Sequence, residues 1–314
     1  MLTVVFATRN RGNALPRVLR SFTNLLPPEG GWRLVVIDNG STDTTPEVLA
    51  RYATRLPLVA LKEPRPGKNR ALNSALPALA GDLAVFTDDD VLPAPDWLVR
   101  LRASADQQQQ ASMFGGTVAL EWPSPPPRWL KPDALPFSVL YAENLRQTGA
   151  CGPHEIFGPN MALRTSVFTH GLRFAEGVGP DETNPRYAMG SETELLRRLG
   201  EGGAQGWFCG EAQLRHLVRP TQMTEEWVLA RGFRYGSGAG REHAAALLRG
   251  PLLGGLPAAL ALRLAAYGAL APLARLLPQG PLRLRLRWRE RELAGIAASL
   301  REDMTHDGGR LACT

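Results

Sequence analysis

Three adjacent carboxylates, Asp88-Asp89-Asp90, follow directly on the apolar run Leu83–Phe86. Like charges held that close repel one another, and a cation or a helix N-terminus relieves the repulsion. Hard divalent ions, Mg²⁺ or Mn²⁺, take oxygen ligands of this kind and keep phosphate oxygens in their remaining positions. A metal carrying a diphosphate is therefore one reading of the cluster, and a capped turn before Pro95-Asp96-Trp97 is the other. Two further groups bear on the choice. In Asp38-Asn39-Gly40-Ser41-Thr42-Asp43, the Asp and Ser or Thr side chains suit a base or ribose, while Thr42 or Asp43 caps the next helix and leaves Asp38 free. Lys68, Arg70 and Asn73 put donors at a helix start, which attracts phosphate; an exposed basic turn is the plainer alternative.

The elements that position these groups show in the hydrophobic period. Leu2 to Ala7 is an apolar, β-branched run, followed by the polar Thr8-Arg9-Asn10-Arg11-Gly12 and by Leu15, Val18, Leu19 and Phe22 at helical spacing. Strand, loop and helix repeat as residues 33–37 with a helix over 46–52, and as 58–61 with a helix over 68–79; the run 83–86 then ends at the aspartates. Alternation at this pitch predicts an α/β fold with a mainly parallel, doubly wound sheet flanked by helices, whose ligands bind at the C-terminal strand ends. The polar clusters all fall at those ends. Beyond about residue 112 the rhythm changes to a strand over 113–120, a proline-rich loop over 121–129, a strand over 159–163 and a helix over 191–199. Trp122 and Trp129 in that loop are candidate flat faces for an acceptor, with simple packing as the alternative; Trp207 reads as core strand and Trp227 as a helix anchor.

From His243 to Gln279 the composition turns to Leu, Ala, Gly and Pro, broken by Arg249, Arg263 and Arg275, and no uncharged stretch reaches the ~18–20 residues of a spanning helix. Arg283, Arg285, Arg287, Arg289, Arg291 and Arg301 then interleave with Leu and Trp288. This C-terminal extension suits either an anionic membrane surface or a helical cap packed on the rest of the chain. Over all 314 residues, 44% are hydrophobic and 21% charged, which excludes a disordered, collagen-like or disulfide-stapled protein. Lys and Arg number 36 against 30 Asp and Glu, a net charge of +6 dominated by arginine, which favours a phosphate-bearing or anionic partner; nucleic acid is not among the partners expected. Cys151, Cys209 and Cys313 are odd in number and widely spaced, so a reducing compartment and no structural zinc are expected. The N-terminus enters a strand at once, without the features of a signal peptide, and the catalytic part is expected in the cytoplasm.

In chain order, Phe6-Ala-Thr-Arg-Asn-Arg11, Ile37-Asp-Asn-Gly-Ser-Thr-Asp43, Lys68-Asn-Arg-Ala-Leu-Asn73, Phe86-Thr-Asp-Asp-Asp-Val91, Phe157-Gly-Pro-Asn-Met-Ala-Leu-Arg164 and Met189-Gly-Ser-Glu-Thr-Glu-Leu-Leu-Arg197 resemble the signals of glycosyltransferase family 2. The likeness spans about residues 2 to 240. It implies a GT-A catalytic domain over 1–240, with a nucleotide-sugar half (1–111) and an acceptor half (112–240), followed by the extension 241–314. It implies an inverting, metal-dependent transfer from a nucleotide-diphosphate sugar to a hydroxyl of a glycan or lipid-linked acceptor. Cell-envelope or extracellular polysaccharide synthesis, at the inner face of the cell membrane, is the setting it implies. Residue by residue, Thr8, Arg9, Asn10, Asp38, Lys68 and Arg70 would contact the donor, with Thr8 and Asp38 at the nucleoside and Asp88, beside Asp89, on the ribose or base side. Asp90 would hold Mg²⁺ or Mn²⁺ at the diphosphate, His216 would lie near the metal or the leaving diphosphate, and Asn160 would belong to the acceptor side.

Inversion needs an acceptor hydroxyl to attack from the face opposite the nucleotide, with one carboxylate in reach of its proton. The family usually presents Glu-Asp there, with Asp as base. This chain has Ser191-Glu192, so Glu192 takes the base position with one methylene more, and the preceding acid is missing. Ser191 to Glu194 also has capping-box spacing, and both roles can hold at once. Asp181 and Glu182 are alternatives for the base. Two other readings stay open: a non-catalytic membrane-surface scaffold of the same fold, and a nucleotidyltransferase, against which the single glycine of Asn10-Arg11-Gly12-Asn13 counts.

Overall fold

The protein, as a computed structural model, is described over residues 1–181 and 184–311, with side chains as far as residue 302; Glu182 and Cys313 lie outside the described residues. Strand β1 (Leu2–Thr8) sends Leu2, Val4 and Phe6 to one face and Val5 to the other, all fully buried. Strands β2 (Trp32–Asp38), β3 (Leu58–Lys62) and β4 (Leu83–Phe86) run parallel with it in the order β3-β2-β1-β4. Helices α1 (Leu15–Phe22) and α2 (Thr45–Tyr52) cover one face of this sheet and α3 (Lys68–Ala75) the other, the doubly wound arrangement. Helix α3 stops short of Leu79 because Pro77 interrupts it, and a 3₁₀ turn over Leu76–Ala78 ends the segment. Register then aligns the tips: Thr8 lies beside Asp38 across β1 and β2, and Val5 beside Phe86 across β1 and β4.

The second half of the sheet is mixed. The elements β5 (Val91–Pro93), α4 (Trp97–Gln107), β6 (Ala111–Glu121), α5 (Phe137–Tyr141), β7 (Gly149–Cys151), β8 (Met161–Arg164), α6 (Ser191–Glu201) and β9 (Gln205–Leu217) extend the order to β3-β2-β1-β4-β8-β6-β9-β5, with β7 on β9. Strand β8 is antiparallel to both β4 and β6, and β5 to β9, whereas β6 and β9 are parallel. Gly158–Asn160, expected to begin a strand, forms a 3₁₀ turn instead, and β8 starts at Met161. Thr87 Oγ1 donates to the Pro159 carbonyl at 2.6 Å, which fastens that turn beside the aspartates.

Beyond β9 come α7 (Glu225–Glu242), α8 (Ala244–Leu247), the hairpin of β10 (Leu252–Leu253) and β11 (Leu256–Pro257), then α9 (Ala258–Ala274) and α10 (Pro281–Leu311). The boundary expected at residue 240 falls inside α7. Gly232, Gly236 and Gly240, one turn apart on α7, face α10: a methyl on Gly236 would stand 2.0 Å from the Glu292 carbonyl oxygen, and one on Gly295 of α10 would stand 2.1 Å from that of Phe233. Bare backbone therefore lets these helices press together, with Trp288 over Gly232 and, with Leu284, in a cluster with Tyr141 and Trp227. Of the two readings of this arginine-rich segment, bilayer surface or packed cap, the contacts favour the cap. Arg283 and Arg287 pair with Glu225, Arg285 donates to the carbonyls of Asp133 and Ala134, and Arg289 pairs with Glu292. Among the described residues no helix is long and apolar enough to cross a membrane.

Candidate active site

The loops after β1, β2 and β4 meet at the C-terminal edge of the parallel strands, and side chains from each lock the others. Asp38 is not free: its Oδ1 accepts from the Ser41 amide at 2.9 Å, so one oxygen shapes the turn. Asp43 ties the same loop, taking the Thr45 amide and hydroxyl on one oxygen and the Gly12 amide on the other. Asn10, with a positive φ of 51°, accepts from the Thr42 amide at 2.9 Å, while its own amide donates to Ser41 Oγ. Asp38 and Asn10 therefore act first as scaffolding of the loops after β1 and β2.

At the tip of β4 the three aspartates part. Asp88 Oδ1 accepts from Lys68 Nζ at 2.6 Å, and the same ammonium reaches Glu192 Oε1 at 2.7 Å. Asp89 accepts from Thr8 Oγ1 at 2.8 Å and from Arg11, whose Nη2 also reaches Asp90 Oδ2 at 3.1 Å. Asp90 Oδ1 lies 3.2 Å from His216 Nε2, because β5 and β9 pair Val91 with His216. The His216 Nδ1 is set against the Tyr141 carbonyl, which places the proton on Nδ1 and turns Nε2 toward Asp90.

Electrostatics follow from this geometry. Burial works against charge on Asp90, but His216, Arg11 and Arg219 outweigh it and hold the carboxyl well below the usual range. Asp89 goes the other way, raised by burial and by Asp90 despite Arg11. Burial also opposes charge on Lys68 and Glu192; their mutual attraction, Asp88 and the Ser191 hydrogen bond win, so the lysine is raised and Glu192 is lowered to about 2. His216 is raised, with Asp90 overcoming its burial.

Glu192 opens α6, yet the capping box expected at Ser191 and Glu194 does not form. Gly190, at a φ of 104°, holds the cap position, Ser191 Oγ donates to Glu192, and Glu194 turns to Arg198 at 2.6 Å. Space for Glu192 comes from Gly158, where a methyl would stand 2.7 Å from the carboxyl carbon. Other expected residues lie elsewhere in the network. Arg70 is bound to Glu176 at 2.9 Å and to the Pro66 carbonyl, and Asn69 and Asn73 grip residues 174–178, so α3 anchors the loop before α6. Arg9 is half-buried next to Thr8. Asn160 is completely buried and hydrogen-bonded to Trp97 Nε1 and to the carbonyls of Thr117 and Ala212, so its amide locks the core and meets no acceptor. Trp122 packs edge-on to Tyr141 at 5.2 Å and Trp129 joins the same cluster. Trp227 stacks flat on Tyr141 at 5.6 Å.

Two residues went unread in the sequence: Arg11, the counter-charge of Asp89 and Asp90, and the half-buried Arg231 of α7, which bonds the Val139 carbonyl and lies within the electrostatic reach of Glu192. Residues 3–172 match the description "Glycosyl transferase family 2".

The chain belongs to glycosyltransferase family 2.

Its enzymatic class is glycosyl transfer. Among curated relatives it is similar to the succinoglycan biosynthesis protein ExoM of Rhizobium meliloti (strain 1021), 26% identical over 72% of this chain and 70% of that one. It is also similar to the glycosyltransferase AglE of Haloferax volcanii, 24% identical over 69% of this chain and 77% of AglE. In fold it resembles the Pyrobaculum calidifontis mannosyltransferase PcManGT in complex with GDP-Man and Mn²⁺, with a TM-score of 0.61, 21% identity, and 95% and 86% of the two chains covered. It also resembles S. aureus TarS 1–349 in complex with UDP-GlcNAc, with a TM-score of 0.53, 16% identity, and 96% and 91% covered. The fold is thus of the GT-A type, with a C-terminal helical extension.

Proposed function

We propose that this glycosyltransferase moves a sugar, with inversion, from a nucleotide-diphosphate donor to a hydroxyl of a glycan or lipid-linked acceptor, in cell-envelope or extracellular polysaccharide synthesis at the inner membrane face. The observation that carries the reading is the Lys68 ammonium shared by Asp88 and Glu192, because it joins the donor-side strand tip and the α6 carboxylate in one cleft. Thr8, Arg9, Asp38 and Asp88 are assigned to the nucleoside side, with Asn10 and Arg70 holding the loops around it. Arg11, Lys68 and Arg219 are the cations assigned to the diphosphate.

The donor set fits a hard divalent metal. Asp90 offers a carboxylate held ionised, and His216 offers an Nε2 whose ring is fixed through Nδ1, the usual outer support of a metal-bound imidazole. Among the described residues no group of three or more His, Cys, Asp or Glu surrounds such a point, so most ligands would be phosphate oxygens and water, as Mg²⁺ and Mn²⁺ accept. When bound, the ion supplies Lewis-acid stabilisation of the departing diphosphate.

Glu192 takes the acceptor proton. The acceptor oxygen forms its bond to the anomeric carbon as the bond from that carbon to the phosphate oxygen breaks; the electron pair leaves with the diphosphate and the proton passes to Glu192. A carboxyl lowered to about 2 by Lys68 is a weak base. Donor phosphate competes for Lys68, and each step of the ammonium toward phosphate returns Glu192 toward ordinary carboxylate basicity, so proton abstraction is favoured once donor is present. Ser191 supports the carboxylate where the family's preceding acid is missing.

The test is thermal shift and transfer with UDP-, GDP- and dTDP-sugars, with and without Mn²⁺. A cognate donor should raise Tm, more so with Mn²⁺. The reading falls if no nucleotide sugar binds under either condition and Asp90→Ala changes nothing.

A further inference from the structure

Helix α9 is apolar around its whole circumference, a pattern that calls for cover on every side. One side has it: Leu260, Leu264 and Tyr267 pack against Leu293, Ala297 and Leu300 of α10. The other side is bare. Leu262 is 64% exposed, Leu273 60%, Leu276 83%, and Leu252 and Leu253 at the neighbouring hairpin 51% and 54%. Contiguous apolar surface of this extent marks an interaction site.

Charge selects the partner. From His243 to Arg289 the chain carries seven arginines and no Asp or Glu; Arg249 and Arg263 are exposed on or beside α9, while Arg275 shares a cavity with Glu225, Glu226 and Glu290. A second copy docked on this face would bring like charges together. An anionic phospholipid surface offers the opposite charge at its headgroups and an apolar layer just below them. Arg283, Arg285, Arg287 and Arg289 are held by Glu225, Glu292 and backbone carbonyls, so the Arg/Leu/Trp segment is the brace behind this surface. With 17 residues, α9 lies on a bilayer rather than through it.

We propose that α9 and the β10–β11 hairpin dock on an anionic bilayer through the leucine face, with Arg249 and Arg263 at the headgroups. This refines the membrane-side location of the proposed enzyme and rests on that reading only for its biological setting. The experiment is cosedimentation of the full chain with vesicles of equal phosphatidylglycerol and phosphatidylcholine, and with phosphatidylcholine alone. Binding should be at least about tenfold tighter to the anionic vesicles and weaken steeply with salt. Leu273→Asp with Leu276→Asp, and separately Arg249→Glu with Arg263→Glu, should each weaken it by at least about tenfold. Donor-induced thermal shift should persist in both variants, which reports folding and separates this outcome from failure of the enzymatic reading. No binding to anionic vesicles, binding indifferent to both variants, or a stable lipid-free dimer that the leucine variant dissolves would each overturn the proposal.

Discussion

Two clusters of acids and cations in this molecule are built from the same chemistry and end in opposite states. Between α7 and α10, Glu225 is met by Arg283 and Arg287, one carboxylate with two guanidiniums, on helices that bare glycines bring together. At the tip of β4, four carboxylates, Asp88, Asp89, Asp90 and Glu192, face Lys68, Arg11 and His216. Even with His216 charged, the four acids outnumber the three cations in direct contact with them. The first arrangement is a clasp; the second has standing demand for a further cation and for groups that can release Lys68 and Arg11. That imbalance, rather than acidity itself, distinguishes the proposed reaction centre from a structural ion pair.

Substitutions sharpen the contrast in graded steps. Glu192→Gln keeps size and hydrogen bonding while removing the proposed base, and turnover should fall about 10³-fold with donor binding retained, read as transfer rate against donor thermal shift. Asp90→Ala should lower activity about 10²- to 10³-fold and flatten the Mn²⁺ dependence of both assays. Gly158→Ala crowds Glu192 without touching charge; about tenfold to 100-fold loss of turnover is expected, with far-UV circular dichroism unchanged. At the clasp the pattern inverts. Glu225→Ala leaves two arginines without their shared acid and should cost about 2 kcal/mol in urea denaturation, while turnover of the folded protein stays within about twofold. Were Glu225→Ala to abolish turnover without loss of stability, the division between the two clusters would collapse.

How much of this was legible followed from the range of the interactions. Strands β1, β2 and β4 and their polar tips read directly, since strands buried on both faces are unbroken apolar runs and a register set by local loops aligns Thr8, Asp38 and the aspartates, while the more exposed edge strand β3 read from its place in the alternation. The interior role of Asn160 did not, because Trp97 and Thr117 lie 63 and 43 residues away. The Arg/Leu alternation of α10 left a bilayer surface and a packed cap equally open for the same reason, its acid Glu225 lying 58 residues before Arg283. The spacing of Gly232, Gly236 and Gly240 was visible and would have predicted tight packing of α7. Arg11 sat inside the first motif, but its role depends on where Asp89 and Asp90 turn after β4.

The smallest effect concerns acid. Glu192 is lowered to about 2 in the folded protein, while an unfolded glutamate titrates near 4.3. A depressed carboxyl stabilises the fold at every pH above its unfolded value, and the contribution fades as pH falls from there toward about 2. Between pH 5 and 8 the group is fully ionised in both states, so Glu192→Gln should leave the pH dependence of stability unchanged there. Below about pH 4.5 the two proteins should diverge, with wild type losing stability more steeply, because only it has this proton to take up on unfolding. Parallel urea titrations at pH 7 and 3.5 measure the difference. Equal slopes at both pH values would mean that Lys68 does not hold Glu192 ionised, and would remove the reason why donor binding should restore its basicity.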